Sequence, residues 1–173
     1  GKLKQFYGMS QRGNLEEALQ GLYQPQFIML LSNESQFEEH VKELERRYPG
    51  VPSIGCIGMC YQASVVEHGV GVIAFTDGVD AAANVLEKVS ATPVKYIRRL
   101  EQDMHRVKGS GRDTVCIDFC TGNDACVLTT MYTALRQRGI SLVGGTGGEG
   151  RVSANGKVYQ DAVAYGLVRN ENG

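Results

Sequence analysis

Apolar positions along the chain fall into two kinds of run. Phe27 to Leu31, Ser53 to Ile57 and Thr114 to Cys120 are short and almost continuously apolar, which predicts strands covered on both faces. Elsewhere the spacing is helical. Leu15, Ala18, Leu19 and Leu22 follow a capping-box pattern, Asn14 to Glu17, and Pro25 closes that segment. Phe37, Val41, Leu44 and Tyr48 line one face of a second helix, with Ser35 to Glu38 as its capping box and Pro49-Gly50 as its stop. Val94, Ile97, Leu100, Met104 and Val107 give a third helix after Thr92-Pro93, an N-cap and first-position pair. A fourth opens at Thr121 to Asp124, buries Val127, Met131, Ala134 and Leu135, and ends at Arg138-Gly139.

The remaining strands follow from turn chemistry. Ala63 to Glu67 and Val70 to Phe75 flank His68-Gly69 and read as an antiparallel pair. Asp80 to Val89 fits both periods and is assigned to a strand. Ile140 to Val143 is a strand leading into a glycine-dense segment. Asn155-Gly156 is a type I′ hairpin signal between Arg151 to Ala154 and Lys157 to Tyr159, and Ala162 to Val168 is the last strand. Residues 1–13 show no period and are expected to be a lead-in, with 14–173 a single domain. The expected class is α/β, a mixed parallel and antiparallel sheet flanked by helices with a C-terminal hairpin; α+β is the alternative.

Composition narrows the function classes. With 173 residues, 42% hydrophobic content and 21% charge, the chain suffices for one filled core. A net charge of −1 without a basic run argues against nucleic acid. No apolar stretch reaches the roughly 20 residues of a spanning helix, and no signal-peptide pattern opens the chain, so a cytoplasmic location is expected.

The candidate site centres on glycines 144, 145, 147, 148 and 150. Gly145 to Gly150 spells G-x-G-x-x-G after a strand, yet a hairpin and no helix follows, so the helix dipole that would hold a pyrophosphate is missing. It also approaches a phosphate-loop pattern but lacks the Lys-Ser/Thr pair. The expected chemistry is a chain of amides able to cradle an anion, Gly144, Gly145, Thr146, Gly147, Gly148 and Glu149, with Thr146 and Glu149 as the side-chain donors or acceptors. A second strand end, Gly58, Met59, Cys60 and Tyr61, has similar character. Thr121, Asn123 and Asp124 sit at a third strand end, where ligands gather in α/β sheets. An ammonium group would need an acid such as Glu149, Asp118 or Asp124.

Five cysteines, odd in number and in apolar surroundings, do not suggest disulfides. Cys116 and Cys120, four residues apart on a strand, are separated by roughly 13 Å, too far to share a metal. No metal is expected. Neither Cys60 nor Cys120 has a flanking signature for a Cys-His nucleophile, so a thiol enzyme is an alternative and a non-enzyme the expectation.

Two segments resemble a known family. Ile54-Gly55-Cys56-Ile57-Gly58-Met59-Cys60-Tyr61, together with Leu142 to Gly150 and Asn155 to Val168, with Asp161 to Tyr165 in its last strand, resembles the N-terminal half of the FIST domain. The wording of the first segment is most similar to FIST regions of methyl-accepting chemotaxis proteins. The resemblance implies a bacterial sensory domain that binds a small ligand, an amino acid or small carboxylate, and passes occupancy to an output module on the same parent chain, with homodimerisation through that parent. It also implies an alternative, a haem-based nitric-oxide sensor, for which His40, His68 or His105 would be the axial ligand. No cofactor is the primary expectation.

Overall fold

The computed structural model describes residues 4–58, 68–88, 97–108, 112–121, 125–146 and 150–171. The apolar run at Phe27 becomes β2 (Phe27–Ser32), buried at every position. Side chains of a strand alternate between faces, so Phe27, Met29 and Leu31 point one way and Ile28 and Leu30 the other. Both faces are covered because β2 is an inner layer. Its sheet runs β1 (Lys4–Ser10), β4 (Val70–Asp77), β2, β3 (Ser53–Ile57), β8 (Val152–Ala154) and β9 (Lys157–Tyr159). The second sheet runs β5 (Val79–Glu87), β10 (Ala162–Asn170), β6 (Thr114–Cys120) and β7 (Ser141–Thr146). Only β2–β3 and β6–β7 are parallel pairs among the described strands.

The two sheets pack face to face. Between them lie Phe27, Met29, Leu31, Ile54 and Cys56 from the first sheet and Val79, Ala83, Val85, Phe119, Ala162, Ala164 and Val168 from the second. Helices α1 (Leu15–Ala18) and α2 (Phe37–Arg47) cover the outer face of the first sheet through Leu15, Ala18, Phe37, Val41 and Leu44. Helices α3 (Ile97–Val107) and α4 (Ala125–Gln137) cover the second through Leu100, Met104, Met131 and Leu135. The result is four layers, helix, sheet, sheet, helix. The mixed α/β class expected from the sequence is observed, with two stacked sheets in place of one open sheet.

Several local readings change. Residues 4–10 are not a lead-in; they form β1 and pair with β4 from Lys4↔Asp77 to Ser10↔Val70. β4 is then flanked by β1 on one edge and β2 on the other, which leaves no edge for the antiparallel partner expected from Ala63 to Glu67. Those residues lie outside the described ones. The capping box at Asn14 forms, its side chain accepting from the Glu17 amide at 3.1 Å, but the helix it starts is a single turn. The box expected at Ser35 does not form. Asn33 takes that role, its Oδ1 accepting from the Gln36 amide at 2.9 Å and from the Ser35 hydroxyl at 3.0 Å.

Two contacts fix how the sheets meet. Asn155 and Gly156 adopt φ of 50° and 85°, as a type I′ turn requires. The Asn155 side chain accepts from the Ser53 amide at 3.2 Å and donates to the Ala83 carbonyl at 2.8 Å, bridging the first sheet to the second. Gly166 in β10 lies under the Phe27 ring, and a Cβ there would stand 2.4 Å from the ring carbons. Phe27 in turn stacks on Phe75, with centroids 6.3 Å apart. Gly166→Ala therefore forces an aromatic ring out of a filled interface, and a loss of about 1–3 kcal/mol is expected. Urea unfolding of the variant checks it; a midpoint equal to wild type contradicts this packing.

Candidate functional site

The direction of the strands sets where the candidate residues meet. β2 and β3 run parallel and finish at Ser32 and Ile57, while β8 starts beside them with Val152 opposite Cys56. In the other sheet β6 and β7 finish together, Cys120 opposite Thr146, beside the start of β10 at Ala162–Val163. Residues 147–151 join the end of β7 to the start of β8, so both sets of strand ends lie at one end of the sandwich.

Gly144, Gly145 and Thr146 are strand residues, which revises the expectation that they belong to a loop. They pair with Asp118, Phe119 and Cys120. In a parallel ladder alternate residues turn their amides toward the neighbour and away from it, and β7 is the last of the described strands in its sheet. Part of this backbone therefore faces away from β6. Gly147, Gly148 and Glu149 lie outside the described residues, as do Met59, Cys60, Tyr61, Asn123 and Asp124. Gly58 follows β3 with φ of 72° and donates its amide to the Ser32 carbonyl at 2.8 Å. Thr121 ties the end of β6 to the start of β10, its amide donating to the Ala162 carbonyl at 3.2 Å and its hydroxyl oxygen accepting from the Ala162 amide at 3.0 Å. Gly58, Thr121 and the 144–146 backbone thus share one end.

Arg151 was not among the expected residues, although it directly follows the glycine segment. Its guanidinium donates to Glu38 Oε1 at 3.1 Å and to the Glu34 carbonyl at 3.3 Å, and it lies 5.9 Å from the centroid of the Phe37 ring. It brings a positive charge to this end and braces the segment against α2.

Asp118 sits elsewhere. It is 2% exposed, on the face of β6 that points toward α3 and α4. It belongs to a row that crosses the second sheet in register: Asn84, Tyr165, Asp118 and Gly144. Asp103 of α3 closes over this row. Its Oδ2 accepts from the Tyr165 hydroxyl at 2.5 Å and from Asn84 Nδ2 at 3.1 Å. Burial, then the Asp103 hydrogen bond and charge, push the Tyr165 hydroxyl well above its ordinary range, so it remains a donor. Alternating hydrophobicity hid this row, because Tyr165 and Asp118 lie in strands that otherwise read as apolar.

The described cysteines are structural in character. Cys56, Cys116 and Cys120 are buried and form no disulfide, and burial followed by the Asp118 charge raises the Cys116 thiol well above its usual value, which suppresses the thiolate. No group of three His, Cys, Asp or Glu side chains that could hold a metal occurs among the described residues.

The three histidines are dispersed. His40, on α2, is 3% exposed and commits both ring nitrogens, Nδ1 with the Ser32 hydroxyl at 2.9 Å and Nε2 with the Gly13 carbonyl at 3.1 Å. The carbonyl can only accept, so Nε2 carries a proton and is not offered to an iron. His68 lies in the turn before β4 and His105 is exposed on α3.

With this geometry in hand, comparison with known proteins assigns the family. The FIST N domain model matches residues 26–172. The chain belongs to the FIST N domain family. FIST domains are sensory modules that respond to small ligands, and the resemblance read from Ile54 to Tyr61 and from Leu142 to Val168 falls inside the matched region. No curated protein matches the chain. Among solved structures, a cyanuric acid hydrolase from A. caulinodans is similar at 10% identity and a TM-score of 0.44, over 99% of this chain and 72% of that one. A likeness that weak says nothing about the activity of this FIST domain. No helix among its described residues is long and apolar enough to cross a membrane.

His40 gives this end of the domain an acid sensitivity. Burial, the largest influence, holds its pKa below the ordinary 6.5, so the folded domain resists a proton that the unfolded chain accepts. Stability from this residue is present in full above pH 6.5 and declines as pH falls from there toward the lower folded-state value, by at most about 1.4 kcal/mol per pH unit. Urea unfolding at a series of pH values between 7.5 and 5 measures the slope, and His40→Gln is expected to flatten it. An equal slope in both proteins excludes His40 as its source.

Proposed function

We propose that this FIST domain senses an amino acid or another small carboxylate for a bacterial chemotaxis protein of the methyl-accepting type, and that the ligand binds at the glycine end of the sandwich. One observation carries the reading. The two parallel strand pairs, one in each sheet, finish at the same end, and the glycine segment crosses between them there. Amides of β7 that face away from β6 and the guanidinium of Arg151 give that end donors suited to a carboxylate. A carboxylate arriving there competes with Glu38, which is 57% exposed, for the same guanidinium.

In this reading the domain does no chemistry of its own and needs no cofactor. It works in the cytoplasm, and its partner is an output module on the same parent chain, through which it dimerises. The chemotaxis assignment rests on the wording of Ile54 to Tyr61.

A thermal-shift series over amino acids and small carboxylates tests this function. At a concentration about 100 times the Kd, a bound ligand stabilises by about 2.7 kcal/mol, which raises Tm by roughly 5–10 °C for a domain of this size. Gly145→Val and Gly148→Val are expected to remove the shift while leaving a folded domain. Full shifts in both variants place the ligand somewhere else.

A further inference from the structure

A cleft of about 300 Å3 opens on the flank of the sandwich, where α3 and the β5 edge meet the residues leading into β3. It is remote from the glycine segment in the chain and its lining is different: Glu45, Asn84, Asp103, Arg106 and Asn155, with the backbone of 50–52. The amides are already spent. Asn155 joins Ser53 to Ala83, and Asn84 donates to Asp103 while its Oδ1 accepts from the Val85 amide at 2.9 Å. The charged groups differ from them. Asp103 is 8% exposed, and its Oδ2 is saturated by Tyr165 and Asn84. Its Oδ1 has Arg106 Nη2 at 3.8 Å, beyond hydrogen-bond reach, on a side chain that is 66% exposed.

Oδ1 of this largely buried carboxylate faces the cleft with no donor within hydrogen-bond reach among the described residues, so the protein balances its charge only in part. Arg106 offers it only a loose, solvent-screened partner. A compact cation with N–H donors would complete it. We propose that the cleft is a binding site for a small primary amine, whose ammonium donates to Asp103 Oδ1 and displaces Arg106 toward solvent, with Glu45 as the second acidic wall. The volume is ample for a short alkyl or hydroxyalkyl amine. Polar walls disfavour an apolar ligand. The bound ammonium then sits one carboxylate away from Tyr165, in the polar row that crosses the second sheet to Gly144. This site is independent of the carboxylate reading at the glycine end.

Isothermal titration of the purified chain with ethanolamine and with 1,4-diaminobutane, and butyrate as the control anion, tests the proposal. Both amines are expected to bind and butyrate is not. Asp103→Asn keeps the shape and an acceptor for Tyr165, and is expected to weaken amine binding at least about tenfold. Arg106→Ala removes the competitor and is expected to tighten it about two- to fivefold. Gly145→Val is expected to leave amine binding unchanged, which separates this site from the one at the glycine end. Absence of amine binding to wild type at millimolar concentration overturns the proposal. So does a weaker affinity in Arg106→Ala, which would mean that the guanidinium supports the bound amine and does not compete with it. Thermal unfolding of both variants without amine verifies folding; if Asp103→Asn does not fold, the direction of change in Arg106→Ala decides.

Discussion

The face-to-face contact of the two sheets is the constraint on which the rest depends. Stacked sheets sit about 10 Å apart, and that gap must be filled without voids. Here the two faces divide the task unequally. The first sheet contributes Phe27, Met29, Leu31 and Phe75, and the second sets small residues, Ala83, Ala162, Ala164 and Gly166, among Val79, Val85, Phe119 and Val168. Were both faces large, the sheets would separate and the strand ends would no longer share one surface. The pairing of Phe27 with Gly166 is the tightest point of this arrangement, and the Asn155 amide bridging Ser53 and Ala83 holds the sheets in register.

Secondary structure was legible wherever local chemistry decided it. The Thr114–Cys120 strand, the Asn155-Gly156 turn and the helix ending at Gly139, with φ of 72°, follow from burial, left-handed backbone and capping alone. What the sequence did not disclose was pairing. Residues 4–10, whose exposure mostly alternates, have no strong apolar period, and they became a strand because β4 offered them an edge. A choice between neighbours is made by long-range contacts, and no window of sequence contains them. The division into two sheets was hidden in the same way, since a doubly covered strand reads alike in either architecture.

The candidate site was legible in part. Glycine density marked a strand end and crossover, and Gly58 and Thr121 do lie at the same end as the 144–146 backbone. Arg151 escaped notice because an arginine beside a loop is ordinary; only its brace onto Glu38 and the Glu34 carbonyl distinguishes it. Asp118 and Tyr165 are a harder case. Each occupies a single polar position in a buried strand, and their shared row emerges only once β5, β10, β6 and β7 are aligned. His40 is buried because α2 closes over Ser32 and the Gly13 carbonyl, a contact between distant segments that the sequence does not display.

The bond between Tyr165 and Asp103 has an optical consequence. The chain has no Trp, so its near-ultraviolet absorbance and emission come from eight tyrosines and five phenylalanines. Tyr23, Tyr7 and Tyr132 stand more than half exposed, whereas Tyr165 is fully enclosed and gives its proton to a carboxylate. A tyrosine in such a bond absorbs further to the red and emits weakly, and it stays un-ionised in alkali that converts the exposed ones. The domain thus carries a native chromophore set directly behind Asp103, one whose spectrum follows the electrostatic state of that carboxylate without any label.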